Sequence, residues 1–372
     1  MRVTFVLPAY FAHPIGGYRI VYGYANFLAA RGHAVTIVFP RDLADHQRSA
    51  SVVEIVKGRL WANKIRLRHR PLVDWQRIDL RINLLLVPRL NSKSVPPGDA
   101  IVATSWHTAA PVMDLPVLHG EKYYLIQHYE TWAGPKSEVD ATWRLPMRLI
   151  VVSEWLYELG LSLGARRLRY IPNAIDHYRF KLLKPPAARS PHIVSLYHTA
   201  AFKGVADALD VLARLHVRHP DIPVTMFGTP TRGAEIPDWV RYYENPSQET
   251  LARDIYNEGT VYLSASLTEG WALPPAEAMA CGCAFVGTDS GGCRDYAKDG
   301  ITALLSPPGD RDALLRNLCW IVEDRRLAVR LQESGTACVQ QFTWERSGTM
   351  LEEYLAESSL FVTPIGPAEL SA

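Results

Sequence analysis

Glu269 and Glu277 lie eight positions apart in a segment predicted to lead from a buried strand into a short helix. Pro275 suits the first position of that helix, where its missing N–H leaves no bond unmade, and Gly282 is placed to end the helix. Glu269 is thus predicted on the preceding loop and Glu277 in the first turn. The helix N-terminus and the N–H groups of residues 270–273 would form an anion site, and the carboxylates would accept hydrogen bonds from a sugar and a ribose diol. Taken alone, two such glutamates are more simply explained as favouring a helix N-terminus electrostatically.

The elements that must position these residues alternate between strand and helix. Residues 3–7 form a short apolar run, residues 8–17 read as a loop, and apolar residues recur at helical spacing from Tyr18 until Gly32. A second apolar run follows at residues 35–39, so the first 40 residues predict a βαβ unit and a parallel sheet. Ser153 is predicted to cap a helix that begins at Glu154. Further buried strands are predicted at residues 100–103, 123–126, 149–152, 193–196, 224–227, 261–263 and 284–286.

The chain has 372 residues, more than one hydrophobic core usually serves, and 48% of them are apolar. A proline-rich stretch without periodicity separates two alternating series and predicts an interdomain connection. We therefore expect an α/β fold of two parallel-sheet domains with a ligand cleft between the carboxyl ends of their sheets. The predicted parts are an N-terminal domain at 1–175, a linker at 176–191, a C-terminal domain at 192–345, and a helix with a frayed tail at 346–372.

Composition narrows the function classes. A formal net charge of +2 gives no strong attraction to nucleic acid. No apolar run approaches the roughly 20 residues of a membrane span, and Pro8 interrupts the first run too early for a signal peptide, so we expect a cytoplasmic protein. The five cysteines, an odd number, argue against a disulfide framework. A zinc site at Cys281, Cys283 and Cys293 lacks the usual ligand spacing, and buried free thiols are the simpler reading.

The glutamate segment EGWALPPAEAMACG resembles the paired-glutamate signature of the family 4 (group 1) retaining glycosyltransferases, which have the GT-B fold. The run of residues 286–295 is similar to the same family, with Asp295 where a glutamate is commoner. Weaker matches are Gly16-Gly17, Pro172-Asn173, Lys203-Gly204 and Phe342-Thr343-Trp344. The resemblance implies two Rossmann-like domains and transfer of a hexose-type sugar from a nucleotide diphosphate donor, with retention at the anomeric carbon.

The resemblance also implies roles for individual residues. Glu269 would contact the donor sugar, and Glu277 would bind the nucleoside ribose. Lys203, predicted to open a helix, would neutralise the donor diphosphate, although a lone lysine is more often a solvated surface residue. Backbone N–H groups would bind the sugar and phosphates at Gly270, Trp271, Ala272 and Leu273. Gly16 and Gly17, which alone would read as an ordinary turn, would let the backbone approach the diphosphate closely.

Two histidines have contrasting positions in this pattern. His128 ends an N-domain strand and matches a histidine that lies beside the transferred sugar, with His107 as the nearest competitor. His198 occupies the place of a family arginine that binds the diphosphate, five residues before Lys203. A neutral histidine gives one hydrogen bond where arginine gives a permanent forked cation. Three explanations remain: His198 is protonated against the phosphates, another basic residue substitutes, or phosphate binding is weaker.

Nucleoside recognition is expected near residues 243–247, with Tyr243 and Asn245 as candidates. Aromatic residues at 10–14 and 131–139 would shape the acceptor site or serve local packing. The leaving diphosphate carries developing negative charge that something positive must meet. The Asp310-Arg311-Asp312 pattern could hold a divalent cation, but its context is that of a helix N-cap, so we expect no metal and no other cofactor.

The segment from Lys57 to Arg70 carries six basic residues and no acid. It predicts a strand with a solvated basic face, or a patch that attracts an anionic membrane surface or a lipid-pyrophosphate acceptor at the inner face of the membrane. The expected partners are a nucleotide-sugar donor and a saccharide, lipid-linked or small-molecule acceptor. Two alternatives remain: a non-catalytic nucleotide-sugar-binding subunit, and a nucleotide-sugar epimerase or sugar phosphorylase on the same fold.

Overall fold

Two parallel β-sheets form the framework of the chain. A computed structural model describes residues 1–43 and 73–357, so the basic segment from Lys57 to Arg70 lies outside the described residues. The strands of the first sheet are β1 (Arg2–Val6), β2 (Ala34–Pro40), β3 (Asn83–Val87), β4 (Ala100–Ala103), β5 (Glu121–Ile126), β6 (Arg148–Val151) and β7 (Leu168–Tyr170). The strands of the second sheet are β8 (Ile193–Leu196), β9 (Val224–Gly228), β10 (Val240–Glu244), β11 (Val261–Ser264), β12 (Ala284–Thr288) and β13 (Ala303–Ser306).

Helices connect the strands and cover both sheets. They are α1 (Gly16–Ala30), α2 (Trp106–Met113), α3 (Lys136–Thr142), α4 (Glu154–Ser162), α5 (Val205–Arg218), α6 (Gln248–Thr250, continued as a π-helix over Leu251–Tyr256), α7 (Leu273–Ala280), α8 (Arg311–Glu323), α9 (Arg325–Val339) and α10 (Trp344–Ala356). None of the helices within residues 1–43 and 73–357 is long and apolar enough to cross a membrane.

The strand order fixes where a ligand can bind. The first sheet has the order β3-β2-β1-β4-β5-β6-β7 and the second β10-β9-β8-β11-β12-β13. In each sheet the chain adds strands first toward one edge and then toward the other. The change of side lies between β1 and β4 in the first sheet and between β8 and β11 in the second. Ligands of open α/β sheets bind outside the carboxyl ends of the strands at such switch points. The loops after β1, β4, β8 and β11 are therefore the expected binding loops, and the predicted pair of parallel-sheet domains is confirmed.

Edge strands account for the differences from the predicted strands. The structure has four strands that apolar patterning missed: β3, β7, β10 and β13. All four lie at a sheet edge. An edge strand has a neighbouring strand on one side only, so more of its residues are exposed. The strands β7 and β10 are half-exposed and do not form continuous apolar runs.

The chain passes between the two domains twice, near residue 175 and near residue 342. The two connecting segments are hydrogen-bonded to each other. Ile175 donates to the carbonyl of Phe342 at 2.9 Å, and Ile175 and Thr343 form a parallel bridge. After the second crossing, α10 packs on α1. A Cβ atom at Gly23 of α1 would lie 1.9 Å from the indole of Trp344, so only glycine fits there. The last described helix is thus anchored on the N-terminal sheet's side of the molecule.

Candidate active site

Lys203 and Glu269 meet at the carboxyl end of the second sheet. The Lys203 Nζ atom lies 2.7 Å and 2.9 Å from the two carboxylate oxygens of Glu269. Ser266 Oγ donates to Glu269 Oε1 at 2.8 Å, which fixes the carboxylate further. Lys203 does not open a helix as predicted: it ends a 3₁₀ turn, and Gly204, at φ +61°, precedes the first residue of α5, Val205. The αL residue turns the chain sharply, so Lys203 faces the loop after β11 instead of joining α5.

The helix after Glu269 begins two residues earlier than predicted. Leu273 is the first residue of α7, and Glu277 therefore lies at the start of the second turn, not in the first. The residue before the helix, Ala272, has φ +58°, a left-handed conformation that costs a non-glycine residue free energy. Its side chain supplies no cap, so the first N–H groups of α7 remain open to a ligand.

A second uncapped helix N-terminus faces the first. α1 begins at Gly16, where the sequence predicted a loop, and its N-cap position, Ile15, makes no side-chain hydrogen bond. A Cβ atom at Gly16 would lie 3.6 Å from Leu273 of α7. Both N-termini carry partial positive charge, and no acidic residue lies in the first turn of either helix. Their approach forms a positive region across the cleft that suits a pyrophosphate.

Backbone contacts hold the two domains together beside these helices. A Cβ atom at Gly270 would lie 1.7 Å from the carbonyl oxygen of Gln127, so the loop after β11 touches the end of β5 directly. A Cβ atom at Gly17 would lie 3.2 Å from the Gln127 side chain. The candidate residues of the two domains therefore belong to one cleft.

Trp271 points away from that cleft. Its side chain is 2% exposed, packs beside Tyr296 and Phe342, and donates from Nε1 to Asp295 at 3.1 Å. Trp271 can therefore contribute only backbone groups to the cleft, as the sequence predicted for Gly270, Trp271 and Ala272 together. The carbonyl of Ala272 is already engaged, because it accepts a hydrogen bond from Tyr296 at 2.6 Å.

Asp295 links the domains in a way that the sequence did not reveal. It accepts hydrogen bonds from the Tyr170 hydroxyl at 2.8 Å and from the backbone N–H of Glu154 at 3.1 Å. Ser153 occupies the N-cap position of α4, but its side chain makes no capping bond, so the predicted Ser153 cap is wrong. A carboxylate from the other domain caps the helix instead. Burial raises the pKa of Asp295.

His128 comes two residues after the end of β5 and lies beside the Lys203–Glu269 pair. It is largely buried, and neither ring nitrogen has a hydrogen-bond partner among the described residues, although backbone of Tyr129 and Thr268 lies close. Burial lowers the pKa of His128, which therefore favours the neutral imidazole. Its ring lies 5.3 Å from Phe202 of the other domain. Buried polar atoms usually have a hydrogen-bond partner, so the two unpartnered ring nitrogens of His128 are compatible with a ligand-binding role.

The competitor, His107, lies elsewhere. It is in the first turn of α2, and its ring packs beside Trp106 with centroids 3.9 Å apart. His198 follows β8, and its Nδ1 accepts a hydrogen bond from the backbone N–H of Ala200 at 2.9 Å. Burial, and then the charge of Lys203, lower the pKa of His198. Among the three explanations for the missing arginine, a protonated His198 is therefore the least favoured in the ligand-free protein.

Glu277 has a partner that the sequence reasoning missed. Arg19 of α1 forms an ion pair with Glu277 Oε1 across the domain boundary, while Oε2 has no hydrogen-bond partner among the described residues. The signal was present in the sequence. A cation near a helix N-terminus is electrostatically unfavourable unless an anion lies close, and Arg19 follows Gly16-Gly17 directly into α1.

The nucleoside candidates lie on an edge of the second sheet. Tyr243 and Asn245 are at the carboxyl end of β10, two strands from β8. Arg241 lies 4.6 Å from the centroid of the Tyr243 ring, and Asn245 has φ +43° with its N–H bonded to Gly228. The structure thus brings Lys203, Glu269 and His128 together and places Tyr243 and Asn245 further along the same edge.

The Asp-x-Asp pattern has structural partners. Asp310 accepts from the N–H of Ala313 at 2.8 Å and caps α8, as predicted. Asp312 pairs with Arg214 at 2.7 Å. Within residues 1–43 and 73–357 no group of His, Cys, Asp and Glu side chains is arranged to hold a metal ion. The cysteines are free thiols, buried except for the half-buried Cys338, as predicted.

Two cavities differ sharply in size and chemistry. A cavity of about 10 Å³ lies against Lys203, Glu269, Ser266 and Pro274. A larger one of about 760 Å³ lies on the first domain, lined by residues that include Arg148, Arg166, Arg167 and Arg169. Arg148, Arg167 and Arg169 are paired with Glu121 or Glu357, so the charge of the larger cavity is mostly neutralised. The small cavity has room for about one water molecule and lies against the Lys203–Glu269 pair within the second domain.

Comparison with known proteins agrees with this geometry. Residues 180–338 match the family Glycosyl transferases group 1. The phosphatidyl-myo-inositol mannosyltransferase of Mycolicibacterium smegmatis is 24% identical over 368 residues, which cover 92% of this chain and 90% of that protein. The MMP alpha-(1->4)-mannosyltransferase of Mycolicibacterium hassiacum is 29% identical over 196 residues, which cover 50% of this chain and 47% of that protein.

Solved structures share the whole fold. The sucrose-phosphate synthase of Thermosynechococcus elongatus superposes with a TM-score of 0.72 at 17% identity, covering 96% of this chain and 98% of its own. Alr3699/HepE of Anabaena, solved in complex with UDP-glucose, gives a TM-score of 0.70 at 14% identity over 96% of this chain and 100% of its own. Residues 180–338 thus carry the match to the group 1 glycosyltransferases, the two facing parallel sheets are those of the GT-B fold, and the chain is a glycosyltransferase.

Proposed function

We propose that the chain is a retaining, metal-independent glycosyltransferase. It moves a hexose-type sugar from a nucleotide diphosphate donor to a hydroxyl of a saccharide, lipid-linked or small-molecule acceptor. The observation that carries the proposal is the contact of Lys203 with Glu269 at 2.7 Å and 2.9 Å, directly beside the unpartnered ring of His128 from the other domain. A cation, a carboxylate and a neutral imidazole thus converge where the two sheets face each other.

The cleft offers positive charge without a metal ion. The donor pyrophosphate would lie between the N-termini of α1 and α7, against the N–H groups that follow Gly16 and Ala272. Lys203 would turn from Glu269 toward the β-phosphate, and Glu269 would then accept hydrogen bonds from the sugar hydroxyls. Because these charges are fixed in a partly buried cleft, they act more strongly than in water and require little reorganisation during the reaction.

The transfer step balances without a further reagent. The bond between the anomeric carbon and the β-phosphate oxygen breaks, and the acceptor oxygen bonds to the same face of that carbon. The acceptor proton passes to the leaving phosphate oxygen, and the products are a glycoside and a nucleoside diphosphate. His128, neutral through burial, would accept or donate one hydrogen bond to a hydroxyl of the transferred sugar.

Lys203 and the helix N-termini would do most of the phosphate neutralisation, since His198 favours the neutral form. Asp310 and Asp312 are engaged with α8 and Arg214, which supports a mechanism without an Asp-x-Asp metal site. The two mannosyltransferase relatives and the UDP-glucose complex support a nucleotide-hexose donor. Glu277 would bind the ribose through Oε2, with Tyr243 and Asn245 near the base.

A panel of nucleotide sugars tests the proposal against both alternatives. The purified chain is incubated with UDP-, GDP-, ADP- and dTDP-hexoses in EDTA, and nucleotide release and donor structure are followed by chromatography and NMR. A transferase releases the nucleoside diphosphate slowly by hydrolysis, and faster when an acceptor is added. An isomerised donor would indicate an epimerase, phosphate-dependent release of a sugar phosphate a phosphorylase, and binding without any turnover a non-catalytic subunit.

A further inference from the structure

Arg19 joins the two domains at the nucleoside end of the cleft. It is the fourth residue of α1, and its guanidinium is paired with Glu277 Oε1 of α7. The Arg19 side chain is 18% exposed and that of Glu277 only 1%. The electrostatics of α1 do not favour a cation so near its N-terminus. The partner that accounts for Arg19 is therefore the carboxylate in the other domain.

The second oxygen of Glu277 is left open. Oε2 is buried and has no hydrogen-bond partner among the described residues, which costs free energy in the ligand-free protein. The Arg19 guanidinium also lies 5.6 Å from the ring centroid of Phe180, which limits how it can turn. The Oε1 atom of Glu277 is thus paired with Arg19, and the Oε2 atom is an acceptor without a donor among the described residues. A ribose diol supplies hydroxyl donors of the required kind.

We propose that Arg19 is a positioning residue of the nucleoside site. It orients Glu277 so that Oε2 accepts a hydrogen bond from a ribose hydroxyl, and it supplies the charge that keeps this buried carboxylate ionised. The inference rests on the proposed function, because it assumes that Glu277 receives the ribose of a nucleotide.

The surroundings of Glu277 make Arg19 the decisive charge. The charged and titratable groups that act on Glu277, or on which it acts, come from five parts of the described chain: Arg19 of α1, Asp176 and Arg179 of the interdomain segment, Tyr256 of α6, Tyr262 of β11, and Cys281 after α7. Burial raises the pKa of Glu277, and Arg19 opposes that rise most strongly. Arg179 opposes it weakly, since it is itself paired with Asp176 at 3.4 Å. Removing Arg19 therefore raises the Glu277 pKa further.

Binding of ribonucleotides and 2′-deoxyribonucleotides tests the inference on the full chain. UDP, GDP and ADP and their 2′-deoxy counterparts are titrated calorimetrically between pH 6 and pH 9. In the wild type we expect the best ribonucleotide to bind at least about tenfold more tightly than its 2′-deoxy form, as a hydrogen bond to a charged group implies. In Arg19→Met this ratio falls to near one at pH 7 and recovers as the pH rises and Glu277 ionises. Arg19→Lys keeps most of the ratio.

Two controls separate positioning from general stability. Tyr170→Phe removes the 2.8 Å interdomain hydrogen bond to Asp295 without touching Glu277, and it should leave the ratio unchanged. Glu277→Gln should lower the ratio at every pH. If Arg19→Met does not fold, Arg19→Gln, which keeps a hydrogen-bond donor but no charge, takes its place in the same titration.

The outcomes distinguish this inference from the proposed function. A wild-type ratio and a flat pH profile in Arg19→Met, or in Arg19→Gln where it takes its place, would overturn the role of Arg19 alone. If the wild type binds none of the nucleotides, or if Glu277→Gln keeps the full ratio, the nucleoside site of the proposed function is wrong and the inference falls with it.

Discussion

The Nζ atom of Lys203 lies within 2.9 Å of both carboxylate oxygens of Glu269, and the two side chains are only 17% and 9% exposed. Lys203 comes from the loop after β8 and Glu269 from the loop after β11, on either side of the sheet's switch point. The cation and the carboxylate thus form an ion pair in the cleft. If the cleft binds a nucleotide sugar as proposed, the pyrophosphate would replace Glu269 as the partner of Lys203.

Glu269→Ala should lower the rate of sugar transfer by about 10²–10³-fold, because one preorganised polar partner of the transition state is lost. Single-turnover release of nucleoside diphosphate at saturating donor measures the rate, and circular dichroism with thermal melting checks the fold. The matched control is Glu258→Ala, which removes the exposed partner of Lys184. Exposed ion pairs contribute little, so this variant should turn over normally. Near-normal turnover by Glu269→Ala would refute the assignment.

Asp295→Ala should lower the free energy of unfolding by about 1–3 kcal/mol, because the partly buried donors of Tyr170 and Trp271 and the exposed amide of Glu154 lose a charged acceptor. Asp295→Asn should lose less, since its amide oxygen still accepts. Urea denaturation followed by tryptophan fluorescence measures both. Equal stability of Asp295→Ala and the wild type would mean that this interdomain cap contributes nothing.

Acid should destabilise the protein through its buried histidines. Burial lowers the pKa of His128, His177, His192 and His198. Below the unfolded-state pKa, about 6.5, the unfolded chain binds more protons than the folded one, so the free energy of unfolding falls as the pH falls through the window down to the lowered folded values. Each histidine contributes a slope of up to about 1.4 kcal/mol per pH unit.

His128→Gln should therefore reduce the slope between pH 6.5 and pH 5, as measured by urea denaturation at half-unit steps. The control is His13→Gln, since His13 is exposed in the folded chain. An unchanged slope in His128→Gln would show that the His128 ring titrates alike in both states.

Trp132→Ala should raise the KM for the acceptor several-fold and leave acceptor-free donor hydrolysis unchanged. Trp132 is 57% exposed at the mouth of the cleft, stacks on Phe202 of the other domain with centroids 5.4 Å apart, and lies 6.3 Å from His128. An exposed aromatic face there suits the apolar face of a sugar ring. Trp320→Ala, on α8 and 53% exposed, is the control. Equal acceptor KM values in the two variants would place the acceptor elsewhere.

The sequence predicts the interior of both sheets well and their edges poorly. Every strand anticipated from an apolar run lies inside a sheet or next to an edge, whereas β3, β7, β10 and β13 are all edge strands. An interior strand of a parallel sheet is covered on both faces, so its sequence is a continuous apolar run. An edge strand need not be covered on both faces. Helix starts were shifted for a different reason: glycine at residues 16 and 17 and proline at residue 274 do not favour a helix by propensity, although the first turns include them.

Partnerships across the cleft were the part that pattern reading could not supply. Glu269 and Lys203 were predicted to work together, and they touch. The pairing of Arg19 with Glu277 and the capping of α4 by Asp295 join residues 258 and 141 positions apart. Arg19 near a helix N-terminus indicates that an anion lies close, but local spacing does not identify that anion, because these contacts depend on how the two sheets face each other.

The central claim is that Lys203, and not a bound ion, meets the charge of the leaving pyrophosphate. The most direct measurement is the rate of nucleoside diphosphate release in excess EDTA by the wild type, Lys203→Arg and Lys203→Ala. The account predicts full activity of the wild type in EDTA, partial activity of Lys203→Arg and a loss of about 10²-fold or more in Lys203→Ala. Activity that requires an added divalent cation and is the same in Lys203→Ala as in the wild type would contradict it.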